Sequence, residues 1–315
     1  MIFLDVKTDY AFKKVFGGDN SKGILISFLN ALIDIPGNEK ITDLTILDSY
    51  QRTKLKGMKD TYLDVKAILS NGHRVIIEMQ VLNVEGFEKR ILFNAAKEYS
   101  NQLNAGEHHA MLSPVIALTI TDFIMFKDAI CGVAFDKVIS YFKLREKEKE
   151  KYTKYSDDVE LIFIELPKFK KSIEEIEGIT EKWIYFMKNA GKLDYIPETL
   201  AQDNEIKKAF DILNTAGMTE EELNEQRKRH TFIYMQKDIL KQAMTAYEKG
   251  FKEGLKKAEM ESKVVGLKKG EIKGKVEGLK KGKVEIAKNL LKAGFEIDAI
   301  VTLTGLNQRE IEDIR

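Results

Sequence analysis

The stretch TYLDVKAILSNGHRVIIEMQ, residues 61 to 80, constrains the fold more than any other part of this sequence. Apolar residues alternate along both of its halves, which predicts two β-strands. The SNG at positions 70 to 72 predicts a three-residue hairpin loop, with a type I turn over Ser70 and Asn71. Gly72 then adopts the left-handed region, and the two strands pair antiparallel.

The length of this loop sets the register of the two strands. The apolar face is predicted to consist of three opposed pairs: Leu63 with Met79, Val65 with Ile77, and Ala67 with Val75. On the other face Asp64 is directly opposite Glu78, and Tyr62 is opposite Gln80. A two-residue loop would shift the register by one residue and mix apolar and charged groups on both faces, so the three-residue loop is favoured.

This register opposes two carboxylates across one strand pair, with Cβ atoms ~5 Å apart, where like charges repel. A divalent cation held by Asp64 and Glu78 would offset the repulsion, and Mg²⁺ typically takes one or two carboxylates and keeps several waters. The alternative is a solvent-exposed face on which Lys66 screens the two acids. Spacing alone leaves both interpretations open.

The remainder of the first 170 residues mixes helix and strand signals in the order ααβββαβ, followed by a loop-rich stretch and a last strand. Thr8 and Ser21 are predicted to cap the first two helices, and Gly106 to end the third. The apolar runs PVIALTIT and VELIFIEL predict buried strands. The charged stretch KLREKEKEKYTKYSDD, residues 143 to 158, predicts a solvated loop or a helix extension.

The chain divides into three predicted parts: a core over residues 1–170, a helical arm over 171–247, and a tail over 248–315 rich in lysine and glycine. In the tail, small residues recur at every fourth position from Gly250 to Gly282. The segment from Gly250 to Lys292 contains 13 lysines and 6 glutamates, so it is basic. Each interior glycine costs a helix ~1 kcal/mol relative to alanine, so close packing against a partner is expected to compensate. The tail is therefore predicted to serve either homo-oligomer formation or salt-dependent DNA contact.

The end of the tail, AIVTLTGLNQREIEDI, resembles a helix-turn-helix, although a short packing bundle is the favoured interpretation. Composition bounds the remaining possibilities. The 51 basic and 50 acidic residues nearly balance, and a single cysteine, Cys131, excludes a disulfide framework. The sequence shows no signal peptide and no apolar stretch long enough to span a bilayer, so a cytoplasmic location without membrane contact is expected.

The segment LDVKAILSNGHRVIIEMQ resembles the core motif of the Rpn family, the recombination-promoting nucleases also described as transposase-like, in the PD-(D/E)XK nuclease superfamily. TDYAFKKVFG near the start, FEKRILFNAAKEYSNQLNAGE after the hairpin and IELPKF at the last strand resemble the same family. The resemblance covers most of the chain. It implies an α/β fold with a restriction-endonuclease-like mixed sheet flanked by helices, followed by a helical region and the glycine-rich tail.

The resemblance also assigns roles to residues of the hairpin. Asp64 matches the metal-binding aspartate of the superfamily, and Glu78 matches the acid of its second motif. Gln80 stands where the wider superfamily has a lysine; a glutamine can orient a water but adds no positive charge. Lys66, on the same face, is a candidate for the missing cation. Asp9 resembles an extra acid of some of these nucleases, but complementing the dipole of its own helix is the favoured role.

The predicted function is that of a metal-dependent DNA endonuclease, linked to recombination or transposition, which hydrolyses phosphodiester bonds with Mg²⁺ or another divalent cation. Asp64 and Glu78 are the predicted metal ligands, and Gln80 and Lys66 complete the predicted catalytic set. Arg90 and Lys97 on the following helix are weaker candidates for phosphate contact, because charged residues on an amphipathic helix are more often simply solvated. The alternative is a non-catalytic DNA-binding or scaffolding protein that retains the nuclease fold.

Overall fold

The computed structural model describes residues 3–35, 40–51, 61–127, 135–148, 157–261 and 266–314. Cys131, Pro36 and half of the charged stretch 143–158, residues 149 to 156, lie outside these residues. The chain forms two compact units, Met1–His230 and Thr231–Arg315.

The first unit contains a mixed six-stranded sheet and a separate two-stranded sheet. The strands are β1 Leu44–Leu47, β2 Tyr50–Gln51, β3 Thr61–Tyr62, β4 Val65–Leu69, β5 Arg74–Gln80, β6 Val115–Thr121, β7 Ile139–Lys143 and β8 Val159–Glu165. The large sheet has the order β1-β4-β5-β6-β8-β7, and β2 pairs with β3. Strands β5, β6 and β8 are parallel, whereas β1, β4 and β7 join antiparallel.

Helices surround this sheet and form the second unit. They are α1 Asp9–Phe16, α2 Lys22–Leu32, α3 Phe87–Ser100, α4 Gly178–Asn189, α5 Glu198–Ala201, α6 Asn204–Leu213, α7 Glu220–Glu261, α8 Gly266–Lys292, α9 Ile297–Thr304 and α10 Gln308–Glu312. The predicted α/β class, with a mixed sheet flanked by helices and a helical C-terminal region, is confirmed.

The hairpin forms with the predicted three-residue register. Val65 pairs with Ile77 and Ala67 with Val75, and these four side chains are buried. Gly72 has φ +85° and its N–H donates to the carbonyl of Leu69, as the left-handed loop position requires. The predicted loop geometry therefore fixes which side chains of β4 and β5 share a face.

The register prediction fails at the start of the hairpin, where the chain bends at Asp64 and leaves the ladder. The Met79 N–H donates to the Asp64 side chain, and the Leu63 N–H donates to the carbonyl of Ser49. Tyr62 consequently pairs with Tyr50 and not with Gln80. Leu63 is turned to the opposite face from its predicted one, where it joins an apolar cluster with Ile76 and Phe87.

Three other local predictions differ from the structure. Strand β7 was missed because its sequence, ISYFK, is short and only half-buried at the edge of the sheet. Helix α3 ends at Ser100, and Gly106, with φ +91°, lies in a later turn. Ser21 belongs to a 3₁₀ turn before α2 and makes no capping hydrogen bond, whereas Thr8 caps α1 by accepting from the Ala11 N–H at 3.4 Å.

Helices α1, α2, α4 and α6 pack on one another around an aromatic centre. The Trp183 ring stands edge-on to Phe28 at 5.4 Å, and its Nε1–H donates to Ser27 Oγ. Helix α3 packs against β6 and β8 on the sheet face that carries Ile76. Both α1 and α3 thereby bring polar side chains to the hairpin.

The second unit is an assembly of helices with its own apolar centre, which includes Ile239, Leu290, Ile300, Leu306 and Ile311. Helix α9 packs on α8 and on α10. The glycine repeat places backbone against backbone between α7 and α8. A Cβ added at Gly254 would stand 2.9 Å from the Cα of Gly274.

Candidate active site

Asp64 is held at the bend between β3 and β4 by the backbone of the neighbouring strand. Its Oδ2 accepts the Met79 N–H at 2.7 Å, which replaces a ladder bond and fixes the carboxylate beside β5. The side chain is 14% exposed. Burial raises the pKa of Asp64 to about 6; the Met79 N–H opposes this rise, and the charge of Asp9 adds to it.

Glu78 lies on the central strand β5 and is 8% exposed. Burial and the charge of Asp64 raise its pKa to about 8, although Arg90, Asn94 and Lys13 act in the opposite direction. The charge of Asp64 therefore acts on Glu78, its predicted neighbour across the hairpin. The alternative of a solvated face fails, because α3 covers β5 and both acids are largely buried.

Helix α1 adds an acid and a cation to these two carboxylates. The Lys13 ammonium is 2.7 Å from Asp9 Oδ1 and 3.9 Å from Asp64 Oδ1. Asp9 is in the first turn of α1, where its charge complements the helix dipole as expected, and it also interacts with Asp64. Both roles considered for Asp9 are thus compatible with its position.

Gln80 closes the site at the end of β5. Its Nε2 donates to the carbonyl of Leu82, and its Oε1 accepts from Arg90 Nη2, both at 2.7 Å. A primary amide has a second N–H and its oxygen a second lone pair, so Gln80 keeps the capacity to orient a water. Its observed contact holds the Arg90 guanidinium near Glu78.

Lys66 shares a strand face with Glu78 but is bound elsewhere. Its ammonium is 2.7 Å from Glu98 Oε2, and Arg74 contacts the other oxygen of the same carboxylate at 2.9 Å. Glu98, on α3, is 1% exposed. Lys66 therefore neutralises a buried acid of α3. Its catalytic role stays a prediction.

Two buried polar atoms beside Glu78 lack hydrogen-bond partners within the described residues, and they bear on whether a metal ion fits here. Asn94 donates through Nδ2 to Glu78 Oε1 at 3.1 Å, while its own Oδ1 is unpaired. Thr119 pairs with Glu78 across β5 and β6, and its Oγ1 is also unpaired. Buried polar groups are nearly always bonded, so these oxygens are suited to an additional ligand or its water.

The donor set is made of hard oxygens, as Mg²⁺ and similar cations prefer. Asp64 and Glu78 would hold the ion, and Asn94 Oδ1 would receive one of its waters. Among the described residues, no group of three or more His, Cys, Asp and Glu side chains has an arrangement that could hold a metal. The candidate site thus rests on two carboxylates and their amide and hydroxyl neighbours.

A family model described as PD-(D/E)XK nuclease family transposase matches residues 6–243. The chain belongs to this family. A second model, the C-terminal helix-turn-helix domain of the Rpn/YhgA-like nuclease family, matches residues 280–315. The resemblance to the Rpn family and the restriction-endonuclease-like fold are thereby confirmed, and the match corrects the preference for a plain packing bundle at the C terminus. No curated protein and no solved structure matches the chain.

The sequence of this family member indicated Asp64 and Glu78 as candidates but gave no role to Lys13 or Asn94, which contact them in the structure. Both come from helices distant in sequence from the hairpin. The one available signal was the i, i+4 spacing of Asp9 and Lys13 within TDYAFKKVFG, one of the stretches that carried the resemblance. In the described parts of the chain, no helix combines the length and the apolar character that crossing a bilayer requires.

Proposed function

We propose that this protein is a divalent-cation-dependent DNA endonuclease whose active site is built on Asp64 and Glu78. The observation that carries the proposal is the pair of buried carboxylates on the hairpin, with Asp64 14% and Glu78 8% exposed, and this burial raises the pKa of each. Such a pair is costly without a cation, and clusters of perturbed acids are typical of functional sites. Membership of a nuclease family and the helix-turn-helix match support a DNA-related role.

Each residue of the proposed site has a part that its contacts define. A divalent cation bound there would polarise the scissile phosphate and activate a water. Asp64, fixed by the Met79 N–H, and Glu78, fixed by Asn94, would hold the cation. Gln80 would orient the attacking water with its second lone pair while it positions Arg90. Lys66 would contribute positive potential from within its pair with Glu98.

The test is a plasmid-nicking assay with and without Mg²⁺ or Mn²⁺. Asp64→Asn and Glu78→Gln are expected to reduce cleavage to background, because each removes one of two charged ligands. Glu160→Gln is the matched control: Glu160 is also a buried acid of the sheet, on β8, and it is paired with Lys143. Full activity of either site variant would refute the proposed site.

A non-catalytic DNA-binding protein is the second candidate, and the helix-turn-helix match is the observation that favours it. Electrophoretic mobility shifts with uncut duplex would separate the two functions. The proposal predicts that Asp64→Asn retains DNA binding and loses cleavage. Wild-type protein that shifts DNA yet leaves it intact with every divalent cation would favour the second candidate.

A further inference from the structure

Helix α1 holds a lysine against the candidate active site. Phe12 and Phe16, which precede and follow Lys13 in the sequence of α1, are buried and anchor the helix in the core. The end of α1 also contacts the hairpin, since a Cβ added at Gly17 would stand 3.7 Å from the Val65 side chain. The position of Lys13 relative to Asp64 is therefore set by packing and does not depend on a loose surface helix.

The Lys13 side chain combines access with charge. It is 41% exposed, against 14% for Lys66, so its ammonium can meet a ligand from solvent. Burial lowers the pKa of Lys13, but the hydrogen bond to Asp9 and the charges of Asp9, Asp64 and Glu78 leave it above its ordinary value. Lys66, in contrast, has its ammonium engaged by Glu98.

The site needs a cation that faces the substrate. Asp9, Asp64 and Glu78 present three carboxyl groups where a negatively charged phosphodiester would have to approach. Gln80 lies at the end of β5, and its amide contributes no charge. The Lys13 ammonium is 2.7 Å from Asp9 Oδ1. This ion pair keeps the ammonium beside Asp64, so Asp9 acts as a positioning residue.

We propose that Lys13 is a catalytic residue that contacts the scissile phosphodiester at the Asp64–Glu78 site and stabilises the negative charge that develops on it. This inference rests on the proposed endonuclease function. Stabilisation of developing charge by one preorganised donor contributes about 10²–10³ to a rate. The competing role for Lys13 is neutralisation of Asp9 and Asp64 in the metal-free protein, without contact to DNA.

The two roles predict different results for the full-length Lys13→Met variant. Its single-turnover cleavage rate at saturating Mn²⁺ and DNA is expected to fall by about 10²-fold, and Lys13→Arg should recover part of that loss by restoring the charge. Lys14→Met is the matched control, because Lys14 is the next residue of α1 and its ammonium lies over the Tyr10 ring. Its rate should stay within about twofold of wild type, as for an ordinary surface substitution.

A second measurement separates catalysis from damage to the site. Mn²⁺ binding without DNA, followed by isothermal titration calorimetry, should be as tight in Lys13→Met as in wild type or tighter, because a cation next to the ligands has been removed. A cleavage rate equal to that of Lys14→Met, or a rate loss explained by weaker Mn²⁺ binding, would overturn the inference while the proposed function stands. Wild-type protein without cleavage would refute the proposed function, and the inference with it.

Discussion

Glu78 is an acid on a central strand, where ionisation has a high free-energy cost. Its carboxyl group lies beside Asp64 and under α3, and the nearest compensation comes from Arg90, Asn94 and Lys13. A buried carboxyl in such a place keeps its proton at neutral pH unless a cation is bound. A proton and a divalent cation therefore compete for the same oxygens. In the metal-free protein, the free energy of unfolding should depend on whether Glu78 is protonated, and hence on pH.

The stability of the metal-free protein should fall as the pH rises. The pKa of Glu78 is raised from 4.5 to about 8, so the folded chain binds a proton more tightly than the unfolded chain. That contribution is fully present below 4.5 and is lost as the pH rises through about 8, with a slope of up to about 1.4 kcal/mol per pH unit. Urea unfolding in EDTA between pH 5 and pH 8 should show this decline, and Glu78→Gln should make it shallower. Equal slopes for the two proteins would contradict the assignment.

Lys66 gives a second prediction, about stability. Lys66→Met would remove one of the cations that pair with the buried Glu98, and we expect the free energy of unfolding to fall by about 1–3 kcal/mol. The double variant Lys66→Met with Glu98→Gln should recover part of this loss in urea unfolding. Cleavage by the folded Lys66→Met protein should drop less than for Lys13→Met. If Lys66→Met reduces cleavage more than Lys13→Met does while its stability is unchanged, Lys66 and not Lys13 is the catalytic cation.

The apolar pairs of the hairpin could be predicted, because alternation and loop length fix the register of Val65 and Ala67 within a short sequence. The same count of residues from Gly72 placed Asp64 near Glu78, although Asp64 itself lies at a bend outside the ladder. The strand partner of Tyr62 and the face of Leu63 could not be found in this way, because the Asp64 carboxylate accepts the Met79 N–H and ends the ladder. Asn94 and Lys13 could not be found either, since helix packing on the sheet decides which helical side chains reach the acids.

At the scale of elements, two helices add polar groups to the acids of the hairpin and complete the candidate site. Helix α1, which precedes the hairpin in the chain, contributes Lys13, and α3, which follows it, contributes Asn94. The same dependence on packing governs the glycine repeat of the second unit. The spacing predicted a helix that needs a closely packed partner, and α7 of the same chain is such a partner for α8. Association between chains was also predicted from the spacing and stays a prediction.

Two alanine substitutions in this helix pair should have opposite effects. Gly254→Ala places a methyl group 2.9 Å from the Gly274 backbone, so we expect it to destabilise the second unit by about 1–3 kcal/mol. Gly282→Ala meets only ordinary contacts with Ala243 and Tyr247 and should stabilise the helix by up to about 1 kcal/mol. Thermal unfolding followed by circular dichroism would compare them. Stabilisation by both substitutions would show that close backbone packing between α7 and α8 is absent.

At the scale of the whole molecule, the two matched regions fall in different parts of the chain. The residues of the candidate site belong to the first unit, and the helix-turn-helix match falls in the second. In the second unit α9 and α10 are separated by residues 305 to 307, and Gly305 has φ +64°. A short turn with a left-handed glycine is typical of the helix-turn-helix motif. DNA binding and cleavage should therefore respond to different substitutions.

Arg309 is the residue at which this separation can be tested. In a helix-turn-helix the first residues of the second helix contact base edges or phosphates, and Arg309 is exposed in the first turn of α10, after the Asn307 cap. Arg309→Ala should weaken duplex binding and lower the slope of log affinity against log salt by about 1 if a phosphate contact is lost. Single-turnover cleavage at saturating DNA should change little, because Arg309 belongs to a different unit from Asp64 and Glu78.

Arg229→Ala, which removes an exposed arginine paired with Glu225, is the control. If the two variants bind DNA equally well across the salt series, α10 does not contact DNA.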